Sequence, residues 1–590
     1  MKQKFAGSIL VTALLICLFM TGNAFATNYA YVLVPGSDVI KIYNFEGNSL
    51  VAILDLDGGS SIYAVDIDPD TPGDQPGIRI EPLVIDENYT PNGTTTFGAI
   101  SAMAVGPQER YLYFVTDNGA TKNGVLYQFE ITGDASDGDS LFSSLTKLGD
   151  VGKRPKDIVI DYLGNYVFIA NYVDDSVTKY SKLSGIALTI YGFYKPVALA
   201  VTSGYVKSGS SDLYVANFEP QSGKYYVSMY NTFMKVDIEV TNRPTDIVTT
   251  IDNEYVYVCN SSDTAGLISV IKPIDYLDVE SDGDAIFDIG ENTVVDNISI
   301  PDAKPTRMAL VDLENKIYAI DPVFVESGGD LTITPGTGIM SVIDCSGRKS
   351  ETIDPDDVNE ANIFSQSVAP AVFEAGTETT TDYSGGVSIA GTRNGTSVFT
   401  VTGVNVEHSF FETDIESATL RTELFSTDAG VTETFSQIVL SGTMPAVVSG
   451  LSAEAENGKI LLKWLDSADD ELGYFIFRRD LDNDDNEYKF HLFDTVEGNT
   501  GLEADDENIY YLVYTDDTVL KGYSYEYIVV PYNEITRANT GTPVNIKARD
   551  DSSSDICFIS SVSSNSGSAL IVLMLIAGFF MIVVVRKQNA

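Results

Sequence analysis

Residues 154–180 read Arg154-Pro155-Lys156-Asp157-Ile158-Val159-Ile160-Asp161 and then YLGNYVFIANYVDDSVTKY. A proline-containing turn leads into a short apolar strand. A turn at Gly164-Asn165 follows, then the aromatic-rich YVFIAN and a third segment that alternates apolar with polar residues. Alternation at period two marks β-strands, and three such runs separated by turn residues make an antiparallel meander. The same sentence recurs. Arg243-Pro244-Thr245-Asp246 precedes IVTT and IDNEYVYVCNSSDTAGLISVI (251–271), and Lys195-Pro196 precedes VALAV, SDLYVANF (211–218) and KYYVSMY (224–230). Lys304-Pro305-Thr306 precedes RMALVD, LENKIYAI and, after an insertion, GIMSVID (338–344), while Ala99-Ile100 precedes SAMAV, ERYLYFVTDN and GVLYQFEI (124–131). Long helical periodicity is absent.

With a first unit at Tyr29–Leu56 and a ragged last one near Ser388–Leu440, residues 27–443 hold roughly seven units of three or four strands each. One such sheet cannot bury both its faces. Packing several radially about an axis buries them and leaves only short edges. The expected fold class is therefore all-β: a roughly seven-bladed β-propeller closed by pairing of its first and last strands. The boxes YVFIAN and YVANF resemble the tyrosine-valine-threonine-asparagine box of the YVTN family of bacterial surface β-propellers. Long acidic insertions and a poorly matching stretch at 348–387 depart from that pattern. In this reading Tyr166, Val167 and Ile169 fill the space between blades. Asn171, Asn217 and Asn260 follow strands where the chain turns, bonding nearby backbone and tolerating left-handed dihedrals.

Residues 444–548 have another texture and hold the only tryptophan. PAVVSGLSAEAENGKILLKWLD gives two strands about a turn at Asn457-Gly458. GYFIFRRD and KFHLFDTV follow, and VYTDDTVLKGYSYEYIVVPYN closes the module. This resembles a fibronectin type III domain, an immunoglobulin-like β-sandwich. The resemblance makes Trp464 the core tryptophan of the second strand and Tyr525 the corner tyrosine whose hydroxyl bonds backbone upstream. An enlarged acidic stretch at 497–511 departs from the pattern, and no Arg-Gly-Asp is present.

Both ends point to a membrane. Residues 1–26 read as a signal peptide: Lys2 and Lys4, an apolar run from Ile9 to Met20, and the small-x-small site Ala24-Phe25-Ala26. A Ser/Asp-rich linker, 549–568, contains Asp555-Ile556-Cys557-Phe558-Ile559. The uncharged apolar stretch Ala569–Val585 follows, and 586–590 form a basic tail beginning Arg586-Lys587. Seventeen helical residues rise about 26 Å, the short end of what spans a bilayer, and the basic tail is expected to stay cytoplasmic. This order resembles bacterial C-terminal sorting signals with a Cys-Phe-Ile box, which implies a sorting protease acting near Cys557. An ordinary single-span anchor is the other open reading. Either leaves the bulk of the chain at the cell surface.

The 590 residues carry 36 basic and 84 acidic side chains, a formal charge of −48. Such a balance argues against binding a phosphate backbone. Two histidines, His408 and His491, argue against multi-histidine zinc sites. No GxSxG, HExxH, Walker loop or CxxC occurs. With Cys17 lost in the signal, Cys259 and Cys345 are candidates for a disulfide or for two buried thiols. The best chemical motif is DVESDGDAIFDIGEN (278–292). Asp278, Glu280, Asp282, Asp284 and Asp288 offer alternating oxygen ligands, and Gly283 permits a wrapped loop, as a structural calcium site requires. It resembles thrombospondin type 3 and dockerin-like calcium loops, with Glu280 and Ala285 departing from them. DLDNDDNE (480–487) lacks the glycine and reads as surface. The expected function is non-catalytic: binding a protein or glycan partner at the cell surface through propeller loops. The alternative is a calcium-dependent, lactonase-like hydrolase with acids converging in the propeller funnel.

Overall fold

The computed structural model describes residues between Tyr29 and Ala548. Longer stretches outside the description are 68–77, 86–98, 132–141, 203–210, 346–366, 373–385 and 427–435, and of 274–291 only the two-residue strands Asp278–Val279 and Ala285–Ile286 are described. The signal peptide, the linker with Cys557, the stretch 569–585 and the basic tail therefore lie outside the described residues. Among those described there is no helix, and none long and apolar enough to cross a membrane.

Everything described is strand, turn or bend. The unit quoted first becomes a four-stranded antiparallel sheet, Pro155–Ile160, Tyr166–Asn171, Ser176–Ser181 and Ile186–Tyr191, in sequence order. The next unit repeats this with Pro196–Val201, Leu213–Asn217, Tyr225–Tyr230 and Lys235–Val240. The following sheets begin with Asp246–Thr249, with Arg307–Val311 and with Gly386–Gly391, and the sheet before begins with Ala99–Val105. The first strand of the chain, Tyr29–Val34, lies between Val39–Asn44 and the late strand Gln437–Ser441, so one sheet joins the two ends of the repeat region. The leading strands of these sheets touch in cyclic order. Ala99–Val105 meets Pro155–Ile160, and the sequence continues through Pro196–Val201, Asp246–Thr249, Arg307–Val311, Gly386–Gly391 and Gln437–Ser441 back to Ala99–Val105. A ring of leading strands, closed by the last strand pairing with the first, is a β-propeller.

Apolar clusters fill the spaces between consecutive sheets, as the alternation requires. Val167, Ile169 and Tyr180 pack on Tyr113, Val115 and Leu126 of the preceding sheet, and Phe168, Ala170 and Val177 pack on Leu199, Leu213 and Val215 of the following one. Tyr166 departs from the expectation. It is the first residue of its strand and is 36% exposed; Tyr172, just past the strand, is the fully buried ring. The box asparagines also differ. None of the three is left-handed; that conformation falls to Arg154 and Lys195, each preceding a proline, and to Asn253, Asn292 and Asn315 among others. Asn171 is instead wholly buried, accepting from the Gly152 amide at 2.9 Å and donating to Ser176 Oγ and Thr178 Oγ1 at 3.1 and 3.0 Å. Asn217 accepts from the Tyr194 amide and donates to Tyr226 O and Ser228 Oγ, and Asn260 donates to Ser269 Oγ. At Asn171 and Asn217 the buried amide, with its oxygen accepting and its nitrogen donating, ties the strand end to the chain entering its own sheet.

Cys259 and Cys345 are both free and buried, in one core cluster with Ile268, Ile317 and Ile343; burial pushes the Cys259 thiol well up, the environment of an inert packing thiol.

Residues 449–547 form two four-stranded antiparallel sheets. One runs Ser449–Glu456, Lys459–Leu465, Tyr510–Asp516, Leu502–Ala504; the other runs His491–Glu497, Gly473–Asp480, Ser524–Tyr532, Val544–Lys547. Trp464 lies fully buried between them, edge-on to Tyr474 at 5.4 Å. Tyr525 Oη accepts a bond from the Leu520 amide at 2.8 Å. Tyr474 and Ile476 face Trp464 in this core. Phe475 and Phe477, pointing the other way, are equally buried. They pack with Ile528, Val530 and Tyr532 against Tyr162 and Ile251 of the propeller, with Leu163 and Leu313 alongside. Tyr162 Oη donates to Ala538 O at 2.6 Å, and the Arg537 guanidinium sits 4.1 Å from the Tyr162 ring centroid. The sandwich is thus docked on the turns that follow the leading strands.

Candidate functional site

The leading strands enclose the propeller axis, and the proline turns set what faces it. Asp157 and Asp246 occupy the same place, two residues after a proline. Asp157 Oδ2 accepts the Leu199 amide of the next sheet at 2.7 Å, and Asp246 Oδ2 accepts the Met308 amide of its next sheet at 2.8 Å. Arg307 Nη1 lies 3.3 Å from Asp246 Oδ1, the two side chains 18% and 14% exposed. At the closing sheet Gln437 does the same work with an amide: Oε1 accepts the Met103 amide at 2.8 Å and Nε2 donates to the Met103 carbonyl at 3.1 Å. Adjacent leading strands share no ladder, so these side chains satisfy backbone groups that would otherwise face the axis unpaired.

Asp157, Asp246 and Arg307 form one electrostatic group. Burial pushes the Asp157 carboxyl up to about 7; Arg307 and the Leu199 amide oppose the rise and Asp246 adds to it. Burial raises Asp246 as well, against Arg307 and the Met308 amide. Two acids and one guanidinium in a shared low-dielectric space cannot both be neutralised by a single cation, so one carboxyl holds a proton more readily.

Both ends of the axis are covered. The insertion between Lys316–Ile320 and Ile339–Asp344 forms a hairpin, Val323–Ser327 with Asp330–Thr334. It starts from the Arg307 sheet and reaches the sheets led by Pro155 and Pro196. Asp330 meets Arg154 Nη1 at 3.0 Å and Lys156 Nζ at 2.9 Å, and Lys156 also donates to Leu331 O at 2.8 Å. Glu326 meets Lys195 Nζ at 2.5 Å. Phe324 lies 6.1 Å from Phe218, with the Arg307 guanidinium 5.1 Å from its ring, and Leu331 is buried among Tyr172, Val197 and Phe218. Since those sheets stand far round the ring from its own, the hairpin crosses the axis. The sandwich meets the turns at the other end of the same strands: Lys156 lies near the start of Pro155–Ile160 and Tyr162 just past its end. Lys195, a hydrogen-bond partner, is the leading influence holding Glu326 below the ordinary carboxylate range. Burial would raise Asp330, but Lys156 and Arg154 outweigh it and hold that carboxyl low.

The expected calcium ligands are not brought together by what is described. Asp278 lies in the two-residue strand Asp278–Val279, paired with Ala285–Ile286; Glu280, Asp282, Asp284 and Asp288 lie outside the described residues. Among those described, no group of three or more metal-ligating side chains occurs. In the second acidic cluster Asp480 Oδ1 accepts the Asp482 amide at 2.9 Å, a turn bond. His491 lies in a strand of the sandwich and His408 outside the description. Sequence reasoning missed Asp157, Asp246, Arg307 and the hairpin. The signal available was the aspartate recurring two residues after proline.

No family model and no curated protein matches the chain. Among solved structures it is similar to a putative 6-phosphogluconolactonase from Bacteroides uniformis, 10% identical over 70% of this chain and 100% of that one, with a TM-score of 0.38. It is also similar to AztD from Citrobacter koseri, 9% identical over 71% and 98%, TM-score 0.36, and to the Dos1 propeller, 7% identical over 75% and 90%, TM-score 0.38. Likeness at this level carries no argument about activity, and the β-propeller assignment rests on the sheet order, the closing strand and the ring of leading strands.

Proposed function

We propose that this is an exported, surface-anchored binding protein without catalytic activity. Its parts are a seven-bladed propeller of the YVTN kind, a fibronectin type III module docked beneath it, and a C-terminal sorting or anchor segment. One observation carries the non-catalytic reading. The acids on the axis, Asp157 and Asp246, are engaged by backbone amides and by Arg307, while the hairpin 323–334 and the sandwich cover the two ends of the axis. A funnel hydrolase needs carboxylates free to meet substrate and an open mouth, and this arrangement supports neither. Binding then falls to the outer loops and rims, with a protein or glycan as partner. Calcium, if it is held by Asp278, Glu280, Asp282, Asp284 and Asp288, has a structural role, because those residues belong to the connection between the third strand of a sheet, Gly266–Lys272, and its outermost strand, Thr293–Ile300.

The test is a glycan and protein binding screen of the exported portion, with and without calcium, beside an assay of lactone and ester hydrolysis. The expected result is saturable partner binding and no turnover. Turnover that Asp157→Asn or Asp246→Asn abolishes would establish the hydrolase instead. For the metal, added calcium should raise the melting temperature and Asp282→Ala should remove that rise; no response in either protein eliminates the site.

A further inference from the structure

The rim of the sheet led by Pro155 is unlike the other rims. Its outermost strand, Ile186–Tyr191 (IALTIY), pairs with Ser176–Ser181 on one side and, among the described residues, with no strand on the other. It bears no charge. Ile186, Leu188 and Tyr191 are 63, 57 and 70% exposed, and Leu183 in the preceding turn is 96% exposed. Outer strands of other sheets carry charges, as in Lys235–Val240 (KVDIEV), Thr293–Ile300 (TVVDNISI) and Thr419–Ser426 (TLRTELFS), or a proline, as in the uncharged Ser367–Val372 (SVAPAV). Charged side chains or a proline on a rim strand keep a sheet edge from pairing with other chains. Ile186–Tyr191 has none of that protection.

The surroundings of this strand have their own electrostatic character. Lys179 lies opposite Leu188 and Phe168, so one face of the sheet presents Tyr166, Lys179, Ile186 and Leu188 together. Lys179 Nζ stands 4.0 Å from the Tyr166 ring centroid. Residues 176–191 contain Lys179 and Lys182 and no acid, in a chain with 84 acids and 36 bases; Asp161 is the acid that acts on both lysines, and Lys182 Nζ lies 4.8 Å from the Tyr111 ring centroid.

We propose that Ile186–Tyr191 is a docking edge that receives an added β-strand from another protein, a segment apolar at alternate positions and flanked by carboxylates. The open row of backbone groups supplies the pairing, Ile186 and Leu188 supply an apolar surface for alternate side chains, and Lys179 and Lys182 meet the flanking acids. This deepens the binding reading by naming a surface and a partner chemistry. A second copy of this chain fits less well, since two copies bring the same lysines to the edge and two bodies of charge −48 repel.

The experiment uses two synthetic peptides of alternating valine and threonine, one ended by paired aspartates and one by paired lysines. Each is added to the full-length chain while backbone hydrogen exchange is followed. The aspartate-ended peptide is expected to slow the outward amides of 186–191 at least tenfold at a concentration where the lysine-ended peptide does nothing. The double variant Ile186→Glu, Leu188→Glu, at two exposed positions, is expected to lose that protection with its melting temperature unchanged. Equal protection by both peptides, or by neither, overturns the proposal. So does protection that grows with protein concentration alone, which marks a second copy as the occupant. Partner binding elsewhere on the molecule with this edge unprotected would leave the binding reading standing and remove only the docking edge.

Discussion

Asp157→Asn isolates the axial acid from every other carboxylate. Burial lifts this group from 3.8 to about 7, so the folded state binds its proton more tightly than the unfolded chain does. The sign follows: where the native state holds more protons, stability falls as pH rises. The contribution is complete below about 3.8, declines between 3.8 and about 7, and is gone above. At pH 5, two units below the folded value, the native carboxyl retains about 3 kcal/mol relative to pH 8, at about 1.4 kcal/mol per unit. Asparagine keeps the carbonyl oxygen that accepts the Leu199 amide and cannot ionise. Arg307 keeps Asp246. The variant is therefore expected to lose less stability than wild type between pH 5 and pH 8, by up to about 3 kcal/mol, which in a chain this size moves the melting temperature by a few degrees. The measurement is thermal unfolding of both proteins across pH 4–8, read as the difference, so that the other acids cancel. Asp157→Leu is the control. It leaves the Leu199 amide unpaired and should cost about 1–3 kcal/mol at every pH. If Asp157→Asn shifts the melting temperature equally at pH 5 and pH 8, the axial carboxyl is not held protonated and the reasoning fails.

Gly152→Ala should destabilise by more than about 2 kcal/mol, because its Cβ would stand 2.5 Å from Asn171 Cγ; denaturant unfolding measures it, and a neutral result would mean the asparagine tie is not tight. Trp464→Ala should cost about 3–5 kcal/mol through an unfilled core, read as loss of the sandwich transition in calorimetry, with the propeller transition retained. Asp330→Asn weakens two partly screened ion pairs worth about 1 kcal/mol each at most, so hydrogen exchange in 323–334 should quicken severalfold with little change in global unfolding. In the unaltered protein the same quickening should appear as pH falls below the ordinary values of Asp330 and Glu326, 3.8 and 4.5, since both carboxyls are held low and their stabilisation is present above those values and lost beneath them.

What could be read from the sequence was what neighbouring residues decide. YVFIAN and VYVC are apolar on both faces because each strand lies between two sheets, and the period-two pattern with its turns is local. Trp464 and Tyr525 likewise sit in strands that identify themselves. The box asparagines were legible as turn-formers yet act as buried ties, since the Gly152 amide that Asn171 accepts comes from the chain entering the sheet, a partner that strand pattern does not name. Asp157 and Asp246 fail for the same reason at longer range: the amides they accept lie 42 and 62 residues further on. Tyr166 looked like core because aromatic residues in strands usually are, but as the first residue of its strand, just past the turn, it stands exposed with Lys179 over its ring.

Two unread signals point the same way. Tyr474-Phe475-Ile476-Phe477 and Tyr527-Ile528-Val529-Val530 are apolar at every position, whereas a free-standing sandwich alternates apolar inward with polar outward. A strand without that alternation has something on its second face, and here it is the propeller, through Tyr162 and Ile251. The converse holds at Ile186–Tyr191. That strand too lacks polar alternation, Ile186, Leu188 and Tyr191 are exposed while only Ile190 packs inward, and among the described residues one edge is unpaired. The rule that accounts for Phe475 and Phe477 by naming what covers them asks the same of Ile186 and Leu188, and the added strand proposed above is the answer that the peptide experiment tests.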